Sequence, residues 1–315
     1  MLNTELRPLG AGELLDRAVT IFVRHFIPIV VVLAVAVVPL IAFEAFVSPR
    51  SGHMFSDMGR VLSSAGNGPA SRAAAQALEG DSPAVGLTAL LVLASVCVRL
   101  LAWSAIVTVV SNAYAGASIT LAQAYGVGLR RWPQQLLIAV VFGVLGFIAA
   151  IPLLILYVIL IFAVIALAAL HVTPVAVVVG VIGGLIVIGG FVGLGSWIFM
   201  TYQLAAVAVV TETRNAIDAI GYGLRRGAAK GMRRRTIVGG LVIFLLSEGG
   251  ALPIIGIAAV ATMLTHIDAL YFAILGAGSV LLEGLIAAFV VVYAIDVRVR
   301  REGIDIVAEP PPAVA

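Results

Sequence analysis

Charged residues and cysteines are both scarce in this chain of 315 residues. Only 11% of the residues are charged and 62% are apolar, whereas a soluble domain has about 25% charged and about 45–50% apolar residues. The mean hydropathy of +1.16 therefore excludes a soluble globular enzyme, a disordered chain and a coiled coil. The single cysteine, Cys97, excludes a disulfide framework and a cysteine-based metal site. The composition is that of a polytopic membrane protein.

Six apolar stretches are long enough to cross a bilayer, because a spanning helix needs about 20 apolar residues. They lie at residues 27–48, 85–113, 134–169, 173–210, 236–265 and 269–295. The block from 134 to 210 carries no charge and is too long for one crossing. Its break signals are the prolines Pro152 and Pro174. Two long helices with a turn at 171–174 are the favoured interpretation, and four short crossings are the alternative.

Basic residues predict how the chain is oriented. Fifteen of the nineteen Lys and Arg residues lie in the segments 1–26, 112–133, 211–235 and 296–315. The positive-inside rule places such segments in the cytoplasm, so both termini are predicted to be cytoplasmic. We therefore expect one integral membrane domain over 1–315, with a cytoplasmic amphipathic helix in 1–26, an extracytoplasmic loop at 49–84 and a cytoplasmic tail from 296 to 315. The N-terminal segment is too charged for a cleavable signal peptide, so the first span is expected to act as the insertion signal.

Two cytoplasmic segments resemble each other closely. Ala124–Arg131 (AYGVGLRR) and Ala219–Arg226 (AIGYGLRR) are identical at six of eight positions, and Ala18–His25 is a weaker third copy. Because each copy precedes a long apolar stretch, the pattern predicts an all-α transmembrane helical bundle of about six spans, built as three repeats of an interfacial helix and a helical hairpin. The interfacial helices, near 11–25, 117–131 and 213–227, are expected to lie flat in the headgroup plane at the cytoplasmic face.

The third copy runs into a dense cluster of basic residues. Its members are Arg225, Arg226, Lys230, Arg233, Arg234 and Arg235. Basic residues beside a span usually fix only its orientation, but such a cluster can also bind anionic headgroups. Membrane lipids and a membrane or envelope protein are therefore the expected partners. The net charge of +3 is too modest to indicate a nucleic acid.

Three ionisable residues fall near the middle of predicted spans, namely Arg99, Glu248 and Glu283. A charge at the centre of a span costs about 2.5–3.5 kcal/mol on insertion scales, so it usually finds a partner. Arg99 and Glu283 lie at similar depths from the outer ends of their spans, which makes Glu283 the first choice of partner for Arg99 and Glu248 the second. Such a cluster either fixes helix packing or forms a polar pathway. The second interpretation gains from Gly249, Gly250 and Pro253, which can interrupt a helix beside Glu248.

Glycines in the fourth stretch have the spacing of closely packed helices. The pairs are Gly180 with Gly184 and Gly189 with Gly193. Packing within the chain is the favoured interpretation, and a homodimer is the alternative.

Three further stretches carry a family resemblance. They are Leu6–Ala18 (LRPLGAGELLDRA) with the segment 22–26, Val210–Ala219 (VTETRNAIDA) running into Leu224–Arg226, and Asp296–Asp305 (DVRVRREGID). In these stretches the chain resembles the membrane domain of bacterial glycerophosphoryl diester phosphodiesterases, which also occurs in stand-alone proteins. It departs from the usual pattern at Ala294 and Ile295, where an aromatic residue is common, and in the basic insert at 230–235.

The resemblance does not imply an enzyme. In that family the phosphodiesterase chemistry belongs to a separate soluble barrel, whereas only about twenty residues follow Asp296 here. The four histidines, His25, His53, His171 and His266, fit no catalytic or metal-binding spacing, and we expect no catalytic, cofactor or metal residue.

The sequence thus predicts a non-enzymatic protein of the bacterial plasma membrane, a scaffold or accessory subunit in envelope or lipid homeostasis. The alternative is a transporter or lipid-conducting protein that uses Arg99, Glu248 and Glu283. A cavity that reaches either glutamate would favour transport, and a sealed apolar bundle would favour scaffolding.

Overall fold

The computed structural model describes residues 9–47, 85–212 and 214–302. These residues form eight α-helices: α1 (Ala11–Arg24), α2 (Phe26–Val47), α3 (Val85–Tyr114), α4 (Leu121–Ala169), α5 (Thr173–Thr211), α6 (Ala216–Ala228), α7 (Arg233–Thr265) and α8 (Asp268–Glu302). This part of the chain contains no strand, so the predicted all-α fold is confirmed. The predicted loop at 49–84 and the tail beyond 302 lie outside the described residues.

Six of the described helices, α2 to α5, α7 and α8, are long and apolar enough to cross a membrane. They coincide with the six apolar stretches of the sequence. Residues 134–210 form two long helices, α4 and α5, so the alternative of four short crossings is wrong. Pro152 lies inside α4 without ending it, and the chain turns instead at His171, whose φ of 62° is left-handed.

The predicted single membrane domain packs as two compact units. The described parts of Met1–Trp132 and Leu245–Ala315 form the first unit, and Pro133–Phe244 forms the second. In the first unit α8 is the central helix, and it contacts α1, α2 and α3. In the second unit α6 packs on α5.

Glycines on α8 determine how closely other helices approach it. A Cβ atom at Gly284 would lie 2.9 Å from the side chain of Ile29 on α2, and one at Gly278 would lie 2.5 Å from Ile254 on α7. Helices pack this closely only where one of them has no side chain. The glycines therefore fix α2 and α7 against two faces of α8.

The first short helix, α1, is amphipathic as predicted, and its buried stripe consists of Leu14, Ala18 and Ile21. Leu9, just before α1, bonds to Asp296 of α8, and Phe22 near its other end reaches Gly284 of α8. These two α8 residues are twelve positions apart, or about 18 Å along a helix. Helix α1 therefore runs alongside α8 for that distance, and its predicted position flat in the headgroup plane stays a prediction. Its apolar stripe packs on protein instead of lipid.

The second predicted short helix, 117–131, is not a separate element. Helix α4 begins at Leu121 and continues through Pro133 to Ala169. The interfacial helix and the span that were predicted as two elements are therefore one continuous helix, with Pro133 inside it. The third predicted short helix is present as α6.

Equivalent glycines in the second and third copies make equivalent contacts. A Cβ atom at Gly128 would lie 2.9 Å from the carbonyl oxygen of Leu101 on α3, and one at Gly223 would lie 2.7 Å from that of Thr201 on α5. In both copies the short segment thus packs backbone to backbone on the preceding span. The first residue of each copy is fully buried: Ala18, Ala124 and Ala219. The threefold repeat as a whole stays a prediction.

Candidate functional site

Arg99 on α3 and Glu283 on α8 form an ion pair between two spans of the first unit. Nη1 of Arg99 donates a hydrogen bond to Oε1 of Glu283 at 2.5 Å. This confirms the first choice of partner. The pair is not sealed, because 52% of the Arg99 side chain and 26% of the Glu283 side chain are exposed.

The packing of α8 explains why Glu283 faces α3. The preceding residue, Leu282, meets Gly250 of α7, and the following one, Gly284, meets Ile29 of α2. Successive residues of a helix point about 100° apart, so the residue between these two faces a third neighbour. Contacts between α8 and α3 place that neighbour at Arg99.

Glu248 takes no part in this pair, so the predicted three-residue cluster is corrected to two residues. Glu248 is exposed on α7, and within the described residues no ion pair joins it to Arg99. The expected interruption of the helix is also absent, since α7 is continuous through Pro253. Gly250 receives the Leu282 side chain instead of breaking the helix.

The six predicted basic residues do not share one surface. Arg226 turns inward: it is only 7% exposed, and its guanidinium carbon lies 3.4 Å from the centroid of the Tyr222 ring. Arg235 is half-buried. The exposed members are Arg225, Lys230, Arg233 and Arg234. We refer to these four residues as the basic surface.

Arg226 belongs to a cluster at the junction of α5 and α6 that the sequence did not reveal. The Tyr222 hydroxyl donates to Oε1 of Glu212 at 2.5 Å, and Nε of Arg214 donates to Oε2 of the same carboxylate at 2.7 Å. Nη1 of Arg226 lies 4.0 Å from Oε1 of Glu212. Both guanidinium groups also lie over the Tyr222 ring, an attractive cation–π geometry. The Glu212 carboxylate and the Tyr222 ring thus hold Arg214 and Arg226 together between α5 and α6.

A signal for this cluster is visible in hindsight. Glu212 directly follows the last residue of α5, and Arg214 and Arg226 lie on either side of Tyr222 in the sequence. The second copy of the motif has Val127 where the third has Tyr222. The residue that bonds to Glu212 is therefore not among the six positions that the two copies share.

A third polar contact joins the start of α1 to the end of α8. The backbone N–H of Leu9 donates to Oδ1 of Asp296 at 2.7 Å, and Nη2 of Arg300 donates to the Leu9 carbonyl oxygen at 2.6 Å. Arg300 also bonds to Asp296, whose side chain is fully buried. Two of the stretches that carry the family resemblance therefore meet at this contact.

These arrangements fasten helices to each other. Among the residues that the structure describes, no three His, Cys, Asp or Glu side chains come together as a candidate metal site. No protein-family model matches the chain, and no curated protein or solved structure matches it either. The resemblance to the phosphodiesterase membrane domain therefore stays a prediction.

Proposed function

We propose that this multi-pass membrane protein is a non-enzymatic scaffold or accessory subunit in the envelope or lipid homeostasis of a bacterial plasma membrane. The observation that carries the proposal is the use of its charges. The Arg99–Glu283 pair, the cluster around Glu212 and the contact at Asp296 each join two helices. Charges are costly to place in a membrane, and here they hold a fixed arrangement of helices, which is what a partner protein recognises.

Two features of the sequence support the location and the family. The excess of Lys and Arg in 1–26 and 211–235 supports a cytoplasmic position for those segments and for both termini. The resemblance to the phosphodiesterase membrane domain supports a role beside enzymes that act on lipids or their headgroups. In this proposal the chain supplies a membrane platform, and another protein supplies the chemistry.

A second candidate function, a transporter or lipid-conducting protein, is favoured by one observation. Half of the Arg99 side chain is exposed although its partner is in contact. An exposed guanidinium within a span is able to meet an anionic group that passes along the protein.

Paired substitutions separate the two candidates. In a scaffold, replacing Arg99 and Glu283 together by leucine removes both charges and keeps an apolar contact, a change that is often neutral for a buried pair. In a deletion strain that shows an envelope defect, we expect this double variant to complement as the wild type does, whereas Glu283→Leu alone should complement less well because it leaves Arg99 unpaired. A double variant that folds, as judged by monodisperse elution and an unchanged melting temperature, but does not complement would contradict the scaffold and favour transport.

A further inference from the structure

An apolar groove of about 520 Å³ lies between α4 and α5 in the second unit. Its aromatic lining consists of Phe142, Phe191, Phe199 and Tyr202. The groove is open because Gly143 on α4 and Gly195 on α5 have no side chains: a Cβ atom at either position would meet nothing within 4 Å. The volume falls within the range of about 300–1,000 Å³ that is typical of small-molecule sites.

The length of the groove matches one leaflet of a bilayer. It is lined by α4 from Ala139 to Ala150 and by α5 from Phe191 to Tyr202, about 16 Å along each helix. The hydrocarbon core of a bilayer is about 30 Å thick, so one leaflet occupies about half of it. An extended acyl chain that follows α4 and α5 has this length and the apolar character of the lining.

The two ends of the groove differ in polarity. Tyr202 lies at one end, and tyrosine is enriched where a span meets the headgroups. Tyr202 packs on the same buried cluster as Leu224 of α6, and the residue after Leu224 is the exposed Arg225. Gly223 and Gly227, on either side of Arg225 in α6, both meet Thr201, the residue before Tyr202, so Arg225 lies at the level of the tyrosine end of the groove. The other members of the basic surface follow α6 in the chain.

We propose that the groove binds one acyl chain of an anionic phospholipid, whose headgroup lies against the basic surface. The apolar lining accepts the chain, and the exposed Arg225, Lys230, Arg233 and Arg234 favour a negatively charged headgroup over a zwitterionic one. This inference goes beyond the proposed scaffold function and needs only that the protein is in a membrane, so it is tested without any partner protein.

The competing occupant is a second copy of this chain. Gly189 and Gly193 on α5 have the spacing of helix dimers, and a Cβ atom at either would also meet nothing within 4 Å. Native mass spectrometry distinguishes the two occupants, because it reports both the number of chains and the number of bound lipids.

The experiment uses the full chain in detergent, equilibrated with phosphatidylglycerol or phosphatidylcholine and measured by native mass spectrometry. We expect one phosphatidylglycerol to stay bound per chain. The double variant Gly143→Leu with Gly195→Leu adds two side chains to the groove at positions where a Cβ atom would meet nothing within 4 Å, and it should retain at least fivefold less lipid. The matched control is Gly184→Leu with Gly189→Leu, which adds the same two side chains to open positions outside the groove lining and should retain lipid like the wild type.

Headgroup selection is tested with Arg233→Ala combined with Arg234→Ala. This variant should bind phosphatidylglycerol no better than phosphatidylcholine, whereas the wild type should prefer phosphatidylglycerol several-fold. Equal retention of lipid by the groove-filled variant and the wild type, with matching melting temperatures, would overturn the proposal. A wild type that binds both phospholipids equally, or that forms a dimer which the groove-filled variant loses, would overturn it as well.

Discussion

At the scale of single residues, the pair of Arg99 and Glu283 shows how one contact limits the cost of a charge within a span. The guanidinium has five N–H donors, and one of its nitrogens bonds to the carboxylate. The carboxylate is the less exposed of the two side chains. Each charge stabilises the other, so loss of either one leaves its partner without a counter-charge. Removing one charge should therefore be worse than removing both.

The first prediction tests this coupling. Glu283→Ala leaves the arginine without its carboxylate, and we expect it to lower the free energy of unfolding by about 1–3 kcal/mol, less than for a fully buried pair because half of Arg99 is exposed. Adding Arg99→Ala should recover part of this loss. Thermal unfolding in detergent of the two single variants and the double variant measures the interaction. If the two single effects simply add in the double variant, the residues are not coupled.

A second prediction at this scale concerns the turn between α7 and α8. His266 has a φ of 55°, a left-handed conformation that costs a residue with a Cβ about 1–2 kcal/mol. His266→Gly should therefore raise the free energy of unfolding by up to about 1 kcal/mol, since glycine also loses more entropy on folding. His25→Gly is the matched control, because His25 ends α1 with a φ of −112° and has no such strain to relieve. Equal effects of the two substitutions in a melting assay would contradict the explanation.

At the scale of helices, the glycine motif of the second and third copies is a packing device. Its second glycine, Gly128 or Gly223, allows a short helical segment to meet the carbonyl groups of the preceding span. A Cβ atom at its first glycine, Gly126 or Gly221, would meet no atom of the preceding span within 4 Å. The two glycines of one motif therefore have different surroundings, and only the second is in close contact with the preceding span.

The third prediction follows from this difference. Gly223→Ala would place a Cβ atom 2.7 Å from the carbonyl oxygen of Thr201, and overpacking of this kind costs about 1–3 kcal/mol. Gly221→Ala, the control in the same motif, should be neutral or stabilise the helix by up to about 1 kcal/mol, because alanine is the better helix former. The same contrast should appear between Gly128→Ala and Gly126→Ala. Melting temperatures of the four variants test both copies at once.

At the scale of the whole molecule, the predicted topology is an alternation of short turns and long helices. The segments 115–120 and 212–215 lead into the two glycine motifs, whereas the turns at His171 and His266 carry no Lys or Arg. Two spans separate the segments 115–120 and 212–215, and two spans separate the turns at His171 and His266. The members of each pair are therefore expected on the same side of the membrane, and one labelling experiment tests both pairs.

The fourth prediction is that these turns lie on opposite sides of the membrane. In a Cys97→Ala background, Val172→Cys and Ile267→Cys should react with an impermeant maleimide in intact cells. Ala117→Cys and Ala228→Cys should react only after the membrane is permeabilised. All four positions are exposed in the structure, so access to the reagent does not differ between them for reasons of packing. Labelling of Ala117→Cys in intact cells would invert the orientation that the charges predict.

The sequence alone predicted the six apolar stretches, each of which lies in one of the six helices that are long and apolar enough to cross a membrane. Apolar length is a property of one segment and of the lipid around it, so it needs no knowledge of the rest of the fold. The partner of Arg99 was predictable for a related reason, because depth is counted along each helix from the end of its own span. Neither inference depends on which face of a helix meets which neighbour.

Only the tertiary structure decided how the helices are turned about their axes. Arg226 is chemically the same as Arg225, but it faces Tyr222 and Glu212 because Gly223 seats α6 on Thr201 of α5. The direction of α1 along α8 is set in the same way, by contacts between residues almost three hundred positions apart. Such contacts depend on where a residue without a side chain leaves room for another helix. Hydropathy is averaged over a segment, so it carries no information about that position.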